Sequence, residues 1–570
     1  MYILGLTTLG DSAASLIKDG EIVAAAEEER FSRKKHHFGF PYKAIQYCLD
    51  HEGITLTDVE HIGLYWKPWI LRHKAFQALK AAFVSREMFR ARSTRGVRNV
   101  RDGYLGMFRY PKLLREHFGE SKFKFHYLEH HITHAASAFF VSPFESAAIL
   151  TWDGVGEETT TLFSQGKGNQ IKTLKRIKLP HSLGQFYSAV TNYLGFNMET
   201  GDEWKVMGLA AYGKPKYYDF FAEKVLKTNG NGGFSYDVKV LDHHMARHYQ
   251  FSDTVKKELG EGRGRKDELT EKHWDIASSA QRVLEDTAIH LVKQIKEMTG
   301  EENLCMAGGV AFNSVMNGRI FHETPFKGFF VHPAAGDAGC SVGAALTIWH
   351  QKLGNPRKNV MNNAYFGPGF TNEECRKVLD EAGLKYETLP DEELLPKVAK
   401  MIADGAIIGW FTGRMEWGPR ALGARSFVAD PRRDDMREIL NQKVKLREWF
   451  RPLAPSMLEE YGKEIFGVEH HDPFMITVIE VADEWKKKIP AVVHVDGTAR
   501  PQMVNKDVNP RYWNLINEYR KITGIPLLLN TSFNIQEPIV CTPQDAVNTF
   551  KNASFDALVL ENNLVLRQSD

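Results

Sequence analysis

Two stretches of this chain repeat one pattern, and that repetition limits the fold more than any other feature. Residues 2–8 read as a buried strand and Leu9-Gly10-Asp11 as a turn. Ser12–Ile17 and Ile22–Ala26 then read as two strands joined by the hairpin signal Lys18-Asp19-Gly20-Glu21. The order of strand, acidic turn and strand returns at Ala147–Trp152, Asp153-Gly154-Val155-Gly156 and Thr159–Phe163. Two such units predict a duplicated α/β architecture, with strands too apolar to leave a face in water. An apolar strand that ends in Asp beside Gly presents a carboxylate at a sheet's carboxyl edge, where open α/β sheets bind ligands. Phe329-Phe330-Val331-His332-Pro333-Ala334-Ala335-Gly336-Asp337 has the same grammar, so Asp337 is expected to close a strand as Asp153 does.

Between the two hairpins lies His130-His131-Ile132-Thr133-His134. On a helix, residues four apart share a face, so His130 and His134 can grip one divalent cation. Two imidazoles with the carboxylates of Asp153 and Asp337 suit Fe, Mn or Zn and leave positions for substrate oxygens. A third element, Leu304–Asn317, reads as a strand, a turn and a helix start. There Gly308 and Gly309 either simply make a tight turn or let backbone N–H groups come close to a nucleotide or phosphate.

Length predicts two to four domains with ample core. A formal net charge of +2 excludes a global field that demands a polyanionic partner. The five cysteines lack CxxC spacing and read as reduced thiols of a cytoplasmic protein. No signal peptide or apolar run long enough to span a bilayer is evident. Residues 71–115 carry twelve Lys or Arg against two acids and read as a solvated helical face or, alternatively, a docking surface for an anionic acceptor, partner or membrane. Residues 213–270 are polar and read as a mobile surface loop, followed by an amphipathic helix over Glu271–Lys296.

The polar stretch Asn355–Asn363 reads as a linker. Beyond it come helices over Glu373–Ala382 and Glu392–Asp404, a strand over Ala406–Phe411, and a series of cations set beside Pro and Gly. These are Arg420, Lys443, Lys445, Arg447, Arg451 and Arg500, with the run Leu529–Asn534 holding Asn530 and Ser532. Guanidinium forks pair bidentately with phosphate oxygens, and few acids lie nearby to quench them.

Four longer motifs carry a resemblance. They are Ala-Glu-Glu-Glu-Arg-Phe-Ser-Arg-Lys-Lys-His (26–36), His-His-Ile-Thr-His-Ala-Ala-Ser-Ala (130–138), Lys-Val-Met-Gly-Leu-Ala-Ala-Tyr-Gly (205–213) and Gly-Pro-Arg-Ala-Leu-Gly-Ala-Arg-Ser (418–426). Together they resemble the O-carbamoyltransferases that act on nodulation factors and antibiotics. The resemblance implies an actin/sugar-kinase-like ATPase domain over 1–354, a linker over 355–365 and a YrdC-like α/β domain over 366–570. It implies Fe(II) on His130, His134, Asp153 and Asp337, although the donors also suit Zn or Mn. It places Glu27 and Lys35 near the transferred carbamoyl group and acceptor, while Asp11, in the turn without the family's His, is a candidate catalytic base or a residue that only caps the hairpin turn. Arg420, Lys445, Arg451, Arg500, Asn530 and Ser532 match the carbamoyl phosphate and ATP site. Lys205, Gly208, Gly308, Gly309 and Asn313 would bind nucleotide in the first domain. The implied substrates are carbamoyl phosphate, ATP with Mg and a hydroxyl of a small molecule or glycan, with no nucleic-acid partner. Rival readings are a tRNA threonylcarbamoyl-type enzyme and a non-catalytic nucleotide-binding protein. Two departures stand out: the first turn holds Gly10-Asp11 where the family has His-Asp, and Asn534-Ile-Gln-Glu-Pro538 is one residue shorter than the family's Asn-x-x-Gly-Glu-Pro.

Overall fold

The computed structural model describes residues 1–70, 105–198, 201–237, 240 and 251–567. They form two compact units. The first contains Met1–Glu28 and His36–Met361; the second contains Asn362–Asp570 and also the short segment Glu29–Lys35.

The first unit holds two five-stranded sheets. One is built from β1 (Tyr2–Thr7), β2 (Ala13–Lys18), β3 (Glu21–Glu27), β4 (Val59–Leu64) and β5 (Lys124–Tyr127) in the order β3-β2-β1-β4-β5. Its hairpin strands pair antiparallel, and β1, β4 and β5 pair parallel. The chain then forms β6 (Ser146–Trp152), β7 (Thr159–Lys167), β8 (Gln170–Lys178), a separate β9–β10 hairpin (Leu226–Asn229, Gly233–Tyr236), β11 (Asn303–Ala307) and β12 (Gly328–Val331). The second sheet runs β8-β7-β6-β11-β12, again an antiparallel meander of three strands continued by two parallel ones. The two sheets therefore share one topology, and the duplication read from the hairpins is real. Strands β1 and β6 are buried almost throughout; the Gly339–Leu346 helix packs on β1, and the His130–Phe139 and Glu271–Thr299 helices pack on β6.

One helix, Gly339–Leu346, lies between β1 and the His130–Phe139 helix. Small residues make this possible. A Cβ on Gly343 would lie 1.8 Å from Thr133 O, and one on Gly5 would lie 1.8 Å from Ser341 O. Backbone-to-backbone approach of this kind fixes the histidine helix against the turn that holds Asp337.

The second unit is built on an eight-stranded mixed sheet. Its strands are β13 (Glu387–Thr388), β14 (Ile408–Phe411), β15 (Arg425–Ala429), β16 (Ala454–Leu458), β19 (Gln502–Val504), β20 (Leu527–Ser532), β21 (Ala557–Leu560) and β22 (Asn563–Leu566). Strands β17 (Ile479–Glu480) and β18 (Thr498–Ala499) pair separately. The order is β13-β22-β21-β14-β15-β20-β16-β19. Trp410, Phe427, Phe533 and Phe555 fill its core. The expected helices form at Asn372–Glu381, opened by a Thr371/Glu374 capping box, and at Asp391–Ala403.

One expectation is corrected here. The polar stretch over 213–270 is not an open loop among its described residues. It contains helical turns at 218–225, the β9–β10 hairpin and a helix at Asp253–Leu259. Phe220, Phe221, Leu226, Phe234, Tyr236, Val255 and Leu259 are buried, and they are spaced too widely among polar residues to show a period. The start of the stretch read as a linker is tied to the first unit: Arg357 donates to the carbonyls of Phe140, Ser142 and Phe144, and Met361 N–H to Val141 O. Of the basic stretch, residues 71–104 lie outside the described residues, while Tyr110–Phe118 is a helix with Tyr110 and Leu114 buried. The five cysteines are buried and not joined in disulfides. No helix among the described residues is long and apolar enough to cross a membrane.

Candidate metal centre and phosphate site

His130 opens its helix, and the helical spacing carries His134 to the same face. Their Nε2 atoms stand 3.1 Å apart. Asp153, the residue after β6, places Oδ2 3.0 Å from His134 Nε2 and 3.5 Å from His130 Nε2. Asp337 Oδ1 is 3.7 and 3.8 Å from the two nitrogens. A cation with bonds of about 2.1 Å needs donor–donor edges of roughly 3.0–3.5 Å, so the His130, His134 and Asp153 atoms fit one ion and the Asp337 oxygen stands a few tenths of an ångström beyond that range.

The electrostatics agree with the geometry. Burial and the neighbouring His134 push the His130 imidazole down to about 4, so it is neutral at physiological pH. Burial and the Asp153 charge push Asp337 well above the usual carboxylate range. Burial also opposes ionisation of Asp153, but the two imidazoles hold it well below its ordinary value. Converging lone pairs and two mutually repelling carboxylates call for a positive charge at their centre.

Asp337 is not a strand-end residue as expected. Strand β12 stops at Val331, and a turn carries the chain to Asp337 just before the Gly339–Leu346 helix. His332 shapes that turn, its Nδ1 accepting the Ala334 N–H at 3.1 Å, while its Nε2 is buried with no hydrogen-bond partner. Burial lowers the His332 imidazole to about 4. The unfolded chain therefore takes up a proton between about pH 6.5 and 4 that the folded one refuses, and stability falls as pH falls through that window. Urea unfolding near pH 7 and near pH 5 should show this loss, approaching about 1.4 kcal/mol per pH unit from this residue. His332→Asn keeps an acceptor for Ala334 and should flatten the dependence.

Two supporting residues escape sequence reasoning. The Glu157 carboxylate accepts the His130 N–H at 3.2 Å and the Lys67 N–H at 2.9 Å, placing an anion at the start of the histidine helix. The Tyr65 hydroxyl donates to Leu9 O at 2.6 Å and lies 3.3 Å from Asp337 Oδ2, which ties the first hairpin turn to the centre. Glu157 follows the Asp153 turn, which was its one signal; Tyr65 gave none.

Among the residues expected to meet nucleotide, Gly308 has φ 97° and lies against Trp152, where a Cβ would stand 2.0 Å from the carbonyl. Gly309 lies against Asp153, a Cβ there standing 3.1 Å from Oδ1. Asn313 is differently employed: its amide caps the Ser314–Glu323 helix through Met316 N–H and pairs with Gln281. Lys205 and Gly208 lie on the Glu203–Ala210 helix, where Lys205 pairs with Asp202 at 3.0 Å. Asp11 lies in the turn before β2, and Glu27 is the buried last residue of β3. Lys35 belongs to the second unit, in the short segment Glu29–Lys35.

The second unit collects cations. Glu416 accepts the N–H groups of Leu422, Ala424 and Arg425 at 2.7–3.0 Å, and this shapes the glycine-rich turn that presents Arg420. Burial lowers Arg420 to about 10. Burial, with Arg420 and Arg447 beside it, lowers Arg500 far below the ordinary range. Burial, with Arg447, Arg451 and Lys35 near, does the same to Lys445. Desolvation lowers Lys35 as well, and Arg451 and Arg30 add to it. Of the acids near these cations, Asp472 is already occupied by the N–H groups of Phe474, Ile476 and Thr477, Glu448 pairs with Arg451 at 3.5 Å, and Glu537 accepts the N–H groups of Ile535 and Gln536. A crowd of buried positive charge with these acids already engaged is stabilised by a bound anion.

Not every residue expected there faces that space. Asn530 donates to Ala421 O and Ser456 Oγ, so its amide is spent bracing the Arg420 turn. Ser532 and Lys445 tie the short Asn534–Pro538 loop: Lys445 Nζ donates to Ser532 O and to Asn534 O and Oδ1. The missing glycine is compensated by Glu537, whose carboxylate accepts the N–H groups of Ile535 and Gln536.

An α/β chain with a four-donor His/Asp centre in one unit and a polycation site in the other has the parts of a group-transfer enzyme. It belongs to the carbamoyltransferases: residues 2–346 match the carbamoyltransferase N-terminus and residues 399–567 the carbamoyltransferase C-terminus. It is 41% identical to an uncharacterized protein of Synechocystis sp. over 98% of this chain and 96% of that one. It is 37% identical to the nodulation protein NolNO of Sinorhizobium fredii over 99% of this chain and 80% of that one. Component A of (R)-2-hydroxyglutaryl-CoA dehydratase from Acidaminococcus fermentans aligns at 15% identity over 62% of this chain and 99% of that one, with a TM-score of 0.33, too low to carry an argument.

Proposed function

We propose that this carbamoyltransferase is ATP-dependent and works in two stages, each in its own unit. In the second unit, carbamoyl phosphate and water give carbamate and phosphate. The carbamate oxygen then attacks the α-phosphorus of Mg-ATP, forming carbamoyl-adenylate and releasing pyrophosphate. In the first unit, a hydroxyl of a small molecule or glycan takes the carbamoyl group, and AMP leaves. The observation that carries this reading is the buried cation cluster of Arg420, Lys445, Arg447 and Arg500, whose depressed basicity a polyphosphate would relieve.

Arg420, Arg500 and Arg451 would hold the phosphates and steady the departing pyrophosphate, and Lys445 would keep the Ser532–Asn534 backbone in place beside them. His130, His134, Asp153 and Asp337 would hold a divalent metal, Fe(II) by family resemblance. Bound there, it supplies Lewis acidity toward the carbamoyl and phosphoryl oxygens. Gly308 and Gly309 let backbone N–H groups approach the adenylate next to Asp153. The doubled sheet topology supports an actin/sugar-kinase-like fold for the first unit, and the mixed sheet with its cation site supports a YrdC-like second unit. Hydroxyl compounds screened by mass spectrometry with ATP, carbamoyl phosphate and Fe(II) should yield a product heavier by one carbamoyl group. A product that forms equally well without ATP would refute the adenylate stage.

A further inference from the structure

Cys340 stands next to the metal centre without belonging to its four donors. It is the second residue of the Gly339–Leu346 helix, and its N–H donates to Asp337 O at 2.9 Å. Gly343 of the same helix lies against Thr133 O, where no Cβ would fit, so this helix and the histidine helix meet backbone to backbone. The contact sets the Cys340 thiol beside Thr133, on the buried face of the histidine helix. His130, His134 and Cys340 are all 0% exposed. The sulfur and one ring nitrogen of each histidine lie within 4.8 Å of one another. The same two histidines form a group of that size with Asp153 and Asp337, but the sulfur and the carboxylates do not share one group. The histidine pair is therefore common to two donor sets, one closed by carboxylates and the other by a thiol.

The histidine rings are not locked to the carboxylate side. A metal-bound imidazole ordinarily passes its other N–H to an oxygen, which fixes the ring. Here Nδ1 of His130 and Nδ1 of His134 are buried with no hydrogen-bond partner among the described residues. Buried polar atoms in that state call for a partner. Softness then sorts the two sets. Carboxylate oxygens suit Mg(II) and Mn(II), whereas thiolate selects Zn(II) and softer ions. Burial and the Asp337 charge push the Cys340 thiol up, so the cation itself must displace the proton. As a thiophilic cation binds, the S–H bond breaks, the proton goes to water and the sulfur electron pair forms the metal–sulfur bond.

We propose that His130, His134 and Cys340 form a second metal-binding set, which draws a thiophilic divalent cation such as Zn(II) to sulfur. Hard cations stay with Asp153 and Asp337. The centre thus discriminates metals by the donors that close the histidine pair, and a zinc ion held at sulfur gives up at least one carboxylate. The proposal concerns metal binding alone and does not depend on the two-stage reaction given above.

Zinc is the probe. Full-length protein is stripped of metal, given one equivalent of Zn(II) and read by X-ray absorption at the zinc edge. The wild type should show one sulfur at about 2.3 Å, together with nitrogen at about 2.0–2.1 Å. Cys340→Ser should lose the sulfur and bind Zn(II) at least about tenfold more weakly, with Mn(II) affinity unchanged. A wild-type zinc shell of nitrogen and oxygen alone, or a sulfur that persists in Cys340→Ser, overturns the proposal. So does an equal loss of affinity for both ions, which would make Cys340 a packing residue. Should Cys340→Ser fail to fold, the wild-type shell decides, because no other cysteine joins a His or acid group among the described residues. Zinc bound at one equivalent through nitrogen and oxygen alone would leave the four-donor centre standing, so the two assignments fail separately.

Discussion

Arg500→Ala should lower carbamoyl-phosphate-dependent pyrophosphate release at least about tenfold, since a charge-assisted hydrogen bond to a phosphate is worth roughly 1.5–3 kcal/mol and more where water is excluded. Arg500 stands among Arg420 and Arg447 with its Nε unsatisfied by protein groups, so removing it takes away a charge meant for a ligand. Asp337→Ala, in the first unit, should leave pyrophosphate release largely intact and abolish carbamoylation of the acceptor. The two reactions measured side by side for both variants decide the matter. Loss of pyrophosphate release in Asp337→Ala, with the protein still folded by circular dichroism, would point to one composite site in which both steps need the metal centre.

The second large effect concerns the centre itself. Purified protein should carry about one equivalent of divalent metal, and His134→Ala should lose it, because His134 Nε2 is within 3.1 Å of both His130 Nε2 and Asp153 Oδ2. Metal analysis of the two proteins is the measurement, and unchanged content in the variant would sink the assignment. The loss should be greater than for replacing a flanking residue such as Glu157, whose carboxylate positions the helix end without entering the donor set.

Much of the centre was legible because its grammar is local. A period of four on a helix and an Asp directly after a strand are short-range patterns, and the structure brings His130, His134 and Asp153 together as those patterns require. Asp337 joins them by another route, a turn shaped by His332 rather than a strand end. The doubled topology was visible in the hairpins, since each meander is contiguous in sequence. The polar stretch before residue 270 hid its elements because their apolar residues meet only after folding.

The sequence by itself determined the type of chemistry: which donors exist, how they are spaced along helix and strand, and where cations outnumber acids. Tertiary structure decided employment. It spent Asn313 on a helix cap and Asn530 on bracing the Arg420 turn. It set Glu29–Lys35 with the second unit, where Arg33 donates to the carbonyls of Pro538 and Ile539. It closed the shortened Asn534–Pro538 loop on Glu537, and brought His36 to Asp11. Each of these depends on which backbone N–H and C=O groups are left unpaired once distant segments have packed. That accounting is settled by the whole chain, and no window of sequence contains it.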